Sequence, residues 1–137
     1  MTPEFKYVVS ILYKSKIIFS SDLTKEFFQF VATKRLNVKL KGEVLKKHSA
    51  LQGFYNLQPN NVNGRSHWSN KQYAIWYIPP CLKITHATWM IGNKRDVGKN
   101  FGYLHSADDV AEPQEVTTWH YNYNHDNKGN IIVTGYY

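Results

Sequence analysis

Thr88-Trp89-Met90-Ile91-Gly92 is the stretch on which the reading of this chain turns. Its large apolar side chains are uninterrupted by charge and end at a glycine. That pattern is expected of a buried β-strand, with Trp89 at the centre of a β domain. Similar runs surround it. Residues 73–78 are continuously apolar and aromatic, as in a strand covered on both faces, and Pro79-Pro80 stops them because proline cannot donate to a β-ladder.

Further from the centre the β pattern continues. Gly53-Phe54-Tyr55-Asn56-Leu57 reads as a short strand, and Asn63-Gly64 marks a tight turn before Trp68. Residues 93–102 read as a polar loop, 101–104 as a short strand and 106–114 as an acidic loop. Thr117, Trp119, Tyr121 and Tyr123 alternate with Thr118, His120, Asn122 and Asn124, one aromatic face and one polar face. Asp126-Asn127-Lys128-Gly129 is then expected to turn that strand back into residues 130–137 as a hairpin. Short strands separated by turn chemistry predict a small antiparallel sheet, sandwich or barrel.

The part before residue 53 reads differently. Residues 21–35 predict a helix: Ser20, Ser21 or Asp22 caps it, Leu23, Phe27, Phe28 and Val31 share one face, and Lys34 and Arg35 occupy the last turn. Residues 5–19 fit helix or strand, and helix is preferred. Leu36, Val38 and Leu40 alternate with Asn37, Lys39 and Lys41 as a short strand ended by Gly42, and residues 43–51 supply one or two helical turns. Charge and periodicity both change near Gly53. The expected organisation is therefore a basic, mostly helical lead-in over residues 1–52 and an antiparallel β module over residues 53–137, an α+β fold.

Composition agrees with a folded domain. At 137 residues with 42 % hydrophobic and 20 % charged residues, the chain can bury a core without disulfides or a metal. The net charge of +7 is concentrated: residues 1–50 hold ten bases against four acids, and the remainder holds seven against six. Attraction to nucleic acid or an acidic partner would come from the first third, although lysines on a solvated face explain the same excess. Cys81 is alone, so no internal disulfide forms, and no run of about 20 apolar residues offers a membrane span. The expected setting is intracellular and cytoplasmic, with a weak likeness to an organelle transit sequence at the start.

Several spaced residues carry a resemblance: Gly53-Phe54-Tyr55, Asn63-Gly64-Arg65, Trp68, Trp76-Tyr77, Trp89-Met90-Ile91-Gly92, Gly98, Ser106, Pro113 and Trp119. On these, residues 53–137 resemble an uncharacterised Trp- and Gly-marked β module of large eukaryotic proteins, often of protists and marine invertebrates. That family usually has proline after Asn-Gly-Arg, where this chain has Ser66. The resemblance implies a compact β fold and no reaction.

Specific chemistries find little support. Gly92 to Lys99 imitates a phosphate loop, but five residues separate Gly92 from Gly98 where four are needed, and Asn100 stands where magnesium needs a hydroxyl. The six histidines lack zinc-finger spacing, and only His105 with Asp108 and Asp109 forms a candidate N/O cluster. Cys81 follows two prolines and has no helix N-terminus to lower its pKa. Pairing of Ser106 with an aspartate and a histidine lacks any motif. No cofactor, metal or catalytic residue is expected. Trp76, Trp89, Ile91 and Trp119 are expected in the core. Lys34, Arg35, Lys39, Lys41, Lys46, Lys47, Tyr121 and Tyr123 are the candidate binding residues. The function expected is a non-enzymatic protein-binding or structural module, an accessory component of a larger assembly. A nucleic-acid-binding protein using the basic segment and an aromatic β face is the alternative, and a small enzyme with a His/Asp site comes third.

Overall fold

A computed structural model describes residues 32–80, 87–106, 108–121 and 130–137. They form eight strands: β1 (Arg35–Leu40), β2 (Gly53–Leu57), β3 (Trp68–Ser69), β4 (Tyr73–Ile78), β5 (Thr88–Asn93), β6 (Leu104–Ser106), β7 (Trp119–Tyr121) and β8 (Ile131–Tyr136). One helix, α1 (Gly42–His48), follows β1, and three single-turn 3₁₀ helices (Ser49–Leu51, Lys94–Asp96, Pro113–Glu115) lie in connections. All eight strands belong to one antiparallel sheet in the order β7-β6-β5-β4-β3-β2-β1-β8.

This is a meander curled toward a barrel. Its ends are drawn together by the segment between β6 and β7. Glu112 and Gln114 of that segment bond to Thr33, just before β1, and Gln114 Nε2 also donates to the Tyr137 hydroxyl after β8. A Cβ on Gly135 of β8 would lie 3.1 Å from Gln114 Nε2, so this contact is close. The concave interior is one apolar cluster. Leu36, Val38, Tyr55, Trp68, Ile75, Tyr77, Trp89, Ile91, Leu104, Trp119 and Tyr121 all point into it. Val44 of α1 and Leu51 add to the same cluster, and the Tyr55 hydroxyl donates to Leu51 O at 2.6 Å.

The α+β expectation is corrected: the described fold is mostly β, and α1, at seven residues, is its only α-helix among the described residues. Arg35, expected in the last turn of a helix, opens β1 and pairs with Asn56 on one side and Tyr136 on the other. The alternation of Leu36, Val38 and Leu40, each at most 2 % exposed, prevails because pairing with β8 along its length, and with β2 as far as Val38, sets that face of β1 in the core. β1 therefore sits within the sheet, and the sheet runs across residue 53 without a break. The helical readings of residues 5–19 and of 21–31 lie outside the described residues.

Two local readings also change. Gly92 does not end its strand; it pairs with Ala74 inside β5. Glycine is required there because a Cβ would lie 2.9 Å from Gly102 Cα and 2.9 Å from Trp76 Cη2. The short strand expected over residues 101–104 lies instead at Leu104–Ser106, as β6. Among the described residues β8 pairs with β1, so that Ile131 and Val133 enter the core beside Leu40 and Val38, and the turn expected at residues 126–129 lies outside the described residues.

Other readings agree. Asn63 and Gly64 adopt φ of 54° and 84°, between the mutual backbone bonds of Val62 and Arg65. β4 is covered on both faces: Ile75 and Tyr77 look inward, while Ala74, Trp76 and Ile78 form a second, outer cluster with Met90, Val62 and Val97. The 94–102 loop lies on this cluster, and Trp76 Nε1 donates to Lys99 O at 3.0 Å.

Candidate functional site

The inward alternation of β1 turns Arg35, Asn37 and Lys39 to the convex face. The registers set Arg35 between Asn56 and Tyr136, Asn37 between Phe54 and Thr134, and Lys39 beside Ile132. Phe54, Ile132 and Tyr136 are 45 %, 40 % and 44 % exposed, unusually open for large apolar side chains. The Arg35 guanidinium carbon lies 4.4 Å from the Phe54 ring centre and 5.9 Å from that of Tyr136, and the two rings meet edge-on at 5.8 Å. A cation over aromatic faces is held electrostatically, so the rings restrict this Arg to their face. The strands β1, β2 and β8 contain no Asp or Glu, so the patch is positive and apolar together.

The other candidate bases divide around this patch. Lys34 and Lys41 are exposed and flank β1. Lys46 and Lys47 are exposed on α1, whose last residue, His48, packs its ring on Tyr103 at 5.3 Å and Tyr121 at 5.9 Å. Tyr121 is only 3 % exposed and belongs to the core; Tyr123 lies outside the described residues. The aromatic partners of Arg35 are thus Phe54 and Tyr136, which the sequence reading passed over. The alternation of Ile131 and Val133 with Ile132, Thr134 and Tyr136 was the available signal, but it marks two faces without saying which is covered.

A second concavity of about 570 Å³ opens beside Trp68 and Trp89, with Arg65, Ser66, Asn61 and Glu112 on its walls. Its strongest polar groups are engaged with the protein. Arg65 stacks on Tyr77 at 4.0 Å and donates through Nη1 to Val110 O (3.0 Å) and Ala111 O (3.4 Å). Trp89 Nε1 donates to Val110 O at 2.9 Å, and Trp68 Nε1 to Thr33 O at 2.6 Å. The Glu112 carboxylate, 1 % exposed, accepts from Thr33 N (3.1 Å), Thr33 Oγ1 (3.0 Å) and Gln114 Nε2 (2.8 Å). These bonds tie the 110–114 segment to the barrel wall, so the arrangement is a structural bracket.

The members of the His/Asp candidate have other partners in the fold. Asp108 accepts from Thr117 N at 2.9 Å and from the Thr117 hydroxyl, while His105 faces His120 across β6 and β7. Ser106 Oγ accepts from Trp89 N at 2.8 Å and donates to Asp108 O at 3.1 Å, which completes the ladder at a strand end. No group of three or more His, Cys, Asp or Glu gathers as a metal set among the described residues. Burial holds His67 below its ordinary pKa; the bond from Nδ1 to Asn60 O opposes this, and Lys94 reinforces it. His48 is lowered by burial and then by Lys47. Cys81 lies outside the described residues. Trp76, Trp89, Ile91 and Trp119 are all buried, Trp76 in the outer cluster and the other three in the main core.

Comparison with known protein families found no match, and neither the curated proteins nor the solved structures contained a similar chain. No helix among the described residues is long and apolar enough to cross a membrane.

Proposed function

We propose that this chain is a non-enzymatic binding module that docks an acidic protein surface on the convex face of β2, β1 and β8, as an accessory component of a larger assembly. The observation that carries the reading is the Arg35 guanidinium seated over Phe54, with Tyr136 beside it, on a face open to solvent. Arg and aromatic side chains are the residue types that dominate binding energy at protein interfaces. Lys34, Lys39 and Lys41 around them favour a partner rich in Asp and Glu. A single cysteine in 137 residues supports an intracellular setting.

Single-stranded nucleic acid is the second reading, favoured by the presence of Arg35 and Lys39 on the same face as Phe54 and Tyr136. Exposed rings stack bases and nearby cations meet phosphates.

The test is affinity capture by the full chain and by Arg35→Glu and Phe54→Ser variants, with and without nuclease. A protein retained through nuclease treatment by the natural chain, and released by either substitution, supports the proposal; a hot-spot loss is about 30-fold in affinity. Loss of all retained material with nuclease moves the function to nucleic acid. Retention indifferent to both substitutions removes this face from the argument.

A further inference from the structure

We propose that His105 and His120 form a two-imidazole site for a late first-row divalent cation, zinc or copper, on the convex face of β6 and β7. The two residues are fifteen apart in sequence, and the β6–β7 register sets them directly opposite each other. Their strand neighbours Leu104, Trp119 and Tyr121 face the core, so both imidazoles face the convex side. His120 is 8 % exposed and His105 is half-buried, which leaves the pair open on one flank.

The spacing admits two ligands on one ion. A zinc–nitrogen bond is about 2.0–2.1 Å and a ring centre lies about 1.2 Å behind its nitrogen, so two imidazoles at a tetrahedral angle have centres about 5.2 Å apart. The observed centroid separation is 5.4 Å, with the rings inclined at 39°. Each imidazole has two nitrogens, so one can keep a protein partner while the other coordinates, an arrangement that fixes the tautomer and raises the basicity of the ligand atom.

The surroundings close one side of the pair. Met90 lies next to His105 in the same cross-strand row, and Trp76 lies next to Met90. Met90 is 5 % exposed; a Cβ on Gly102 would come within 2.7 Å of its sulfur, so loop and strand are closely packed there. This apolar wall closes one side of the site and limits water to the open flank. Imidazole nitrogen selects zinc, copper and nickel over magnesium or calcium. No third His, Cys, Asp or Glu joins the pair among the described residues. In the proposed site solvent completes the coordination, and the ion exchanges. With two of the four ligands of a closed zinc site, a dissociation constant on the order of 10⁻⁵ M follows.

The experiment is a calorimetric titration of the untagged full chain with zinc chloride near neutral pH, repeated with His105→Asn, His120→Asn and His48→Asn. One ion per chain is expected, with affinity falling about tenfold or more in each of the first two variants and unchanged in the third. Histidine-ring NMR of the natural chain during the same titration supplies a readout independent of how the variants fold. The signals of His105 and His120 should shift together and first. Absence of binding up to about 1 mM zinc, a hundredfold above the expected constant, overturns the proposal. So does binding that survives both substitutions, or ring shifts confined to other histidines.

Discussion

Trp89→Ala tests the central packing most directly. The indole is 1 % exposed and lies 5.9 Å from the Trp68 ring and 5.5 Å from the Tyr77 ring, centre to centre. Its N–H donates to Val110 O, but Arg65 Nη1 donates to the same oxygen at 3.0 Å. Losing the indole therefore leaves that carbonyl with a partner, and the penalty is almost wholly one of lost apolar contact and a cavity. Truncating a large buried aromatic costs about 3–5 kcal/mol, about a fifth or more of the stability of an ordinary domain. With a urea dependence of about 2 kcal/mol per molar, the unfolding midpoint falls by about 1.5–2.5 M. Trp89→Phe keeps a ring between Trp68 and Tyr77 and should cost about half as much or less. Circular dichroism is the right probe, because removing a tryptophan alters fluorescence by itself. A loss under about 1 kcal/mol for the alanine variant, or equal losses for the two variants, would refute this account of the core.

Gly92→Ala places a methyl against Gly102 Cα and Trp76, which are parts of a close-packed loop and strand; a loss of about 1–3 kcal/mol is expected in urea unfolding. Glu112→Ala leaves Thr33 N–H, Thr33 O–H and Gln114 N–H without their carboxylate, so stability should fall by about 3 kcal/mol and hydrogen exchange at the Thr33 amide should accelerate. The pH dependence follows from His48 and His67, both held below the ordinary value of 6.5 in the fold. The folded state binds fewer protons than the unfolded chain as pH falls through 6.5 toward the lowered values. Their contribution is therefore complete above that value and is lost as the pH falls through the folded values. Unfolding free energy measured from about pH 7 down to about pH 5 should decline, and His67→Gln should flatten the decline; an unchanged slope in that variant would remove His67 as a cause.

Local pattern alone carried much of this fold. A strand with one face in the core writes period two into its own residues, and β1 and the described part of β7 are legible for that reason. The continuous apolar runs of β4 and β5 announce cover on both faces, and Asn63-Gly64 announces a turn whose backbone only a few residue types accept. What local pattern lacks is the identity of the neighbour. Arg35 satisfies the end of a helix or the start of a strand equally well until β2 and β8 occupy its two sides. Ile132 and Tyr136 look like core residues until the curl of the sheet covers Ile131 and Val133 instead. Gly92 looks like a terminator until Gly102 and Trp76 arrive within touching distance. The patch around Arg35, the Glu112 bracket and the His105–His120 pair all join residues far apart in the chain. Their spacing is set by strand register, which depends on the free energy of the whole sheet and leaves no mark in any single segment.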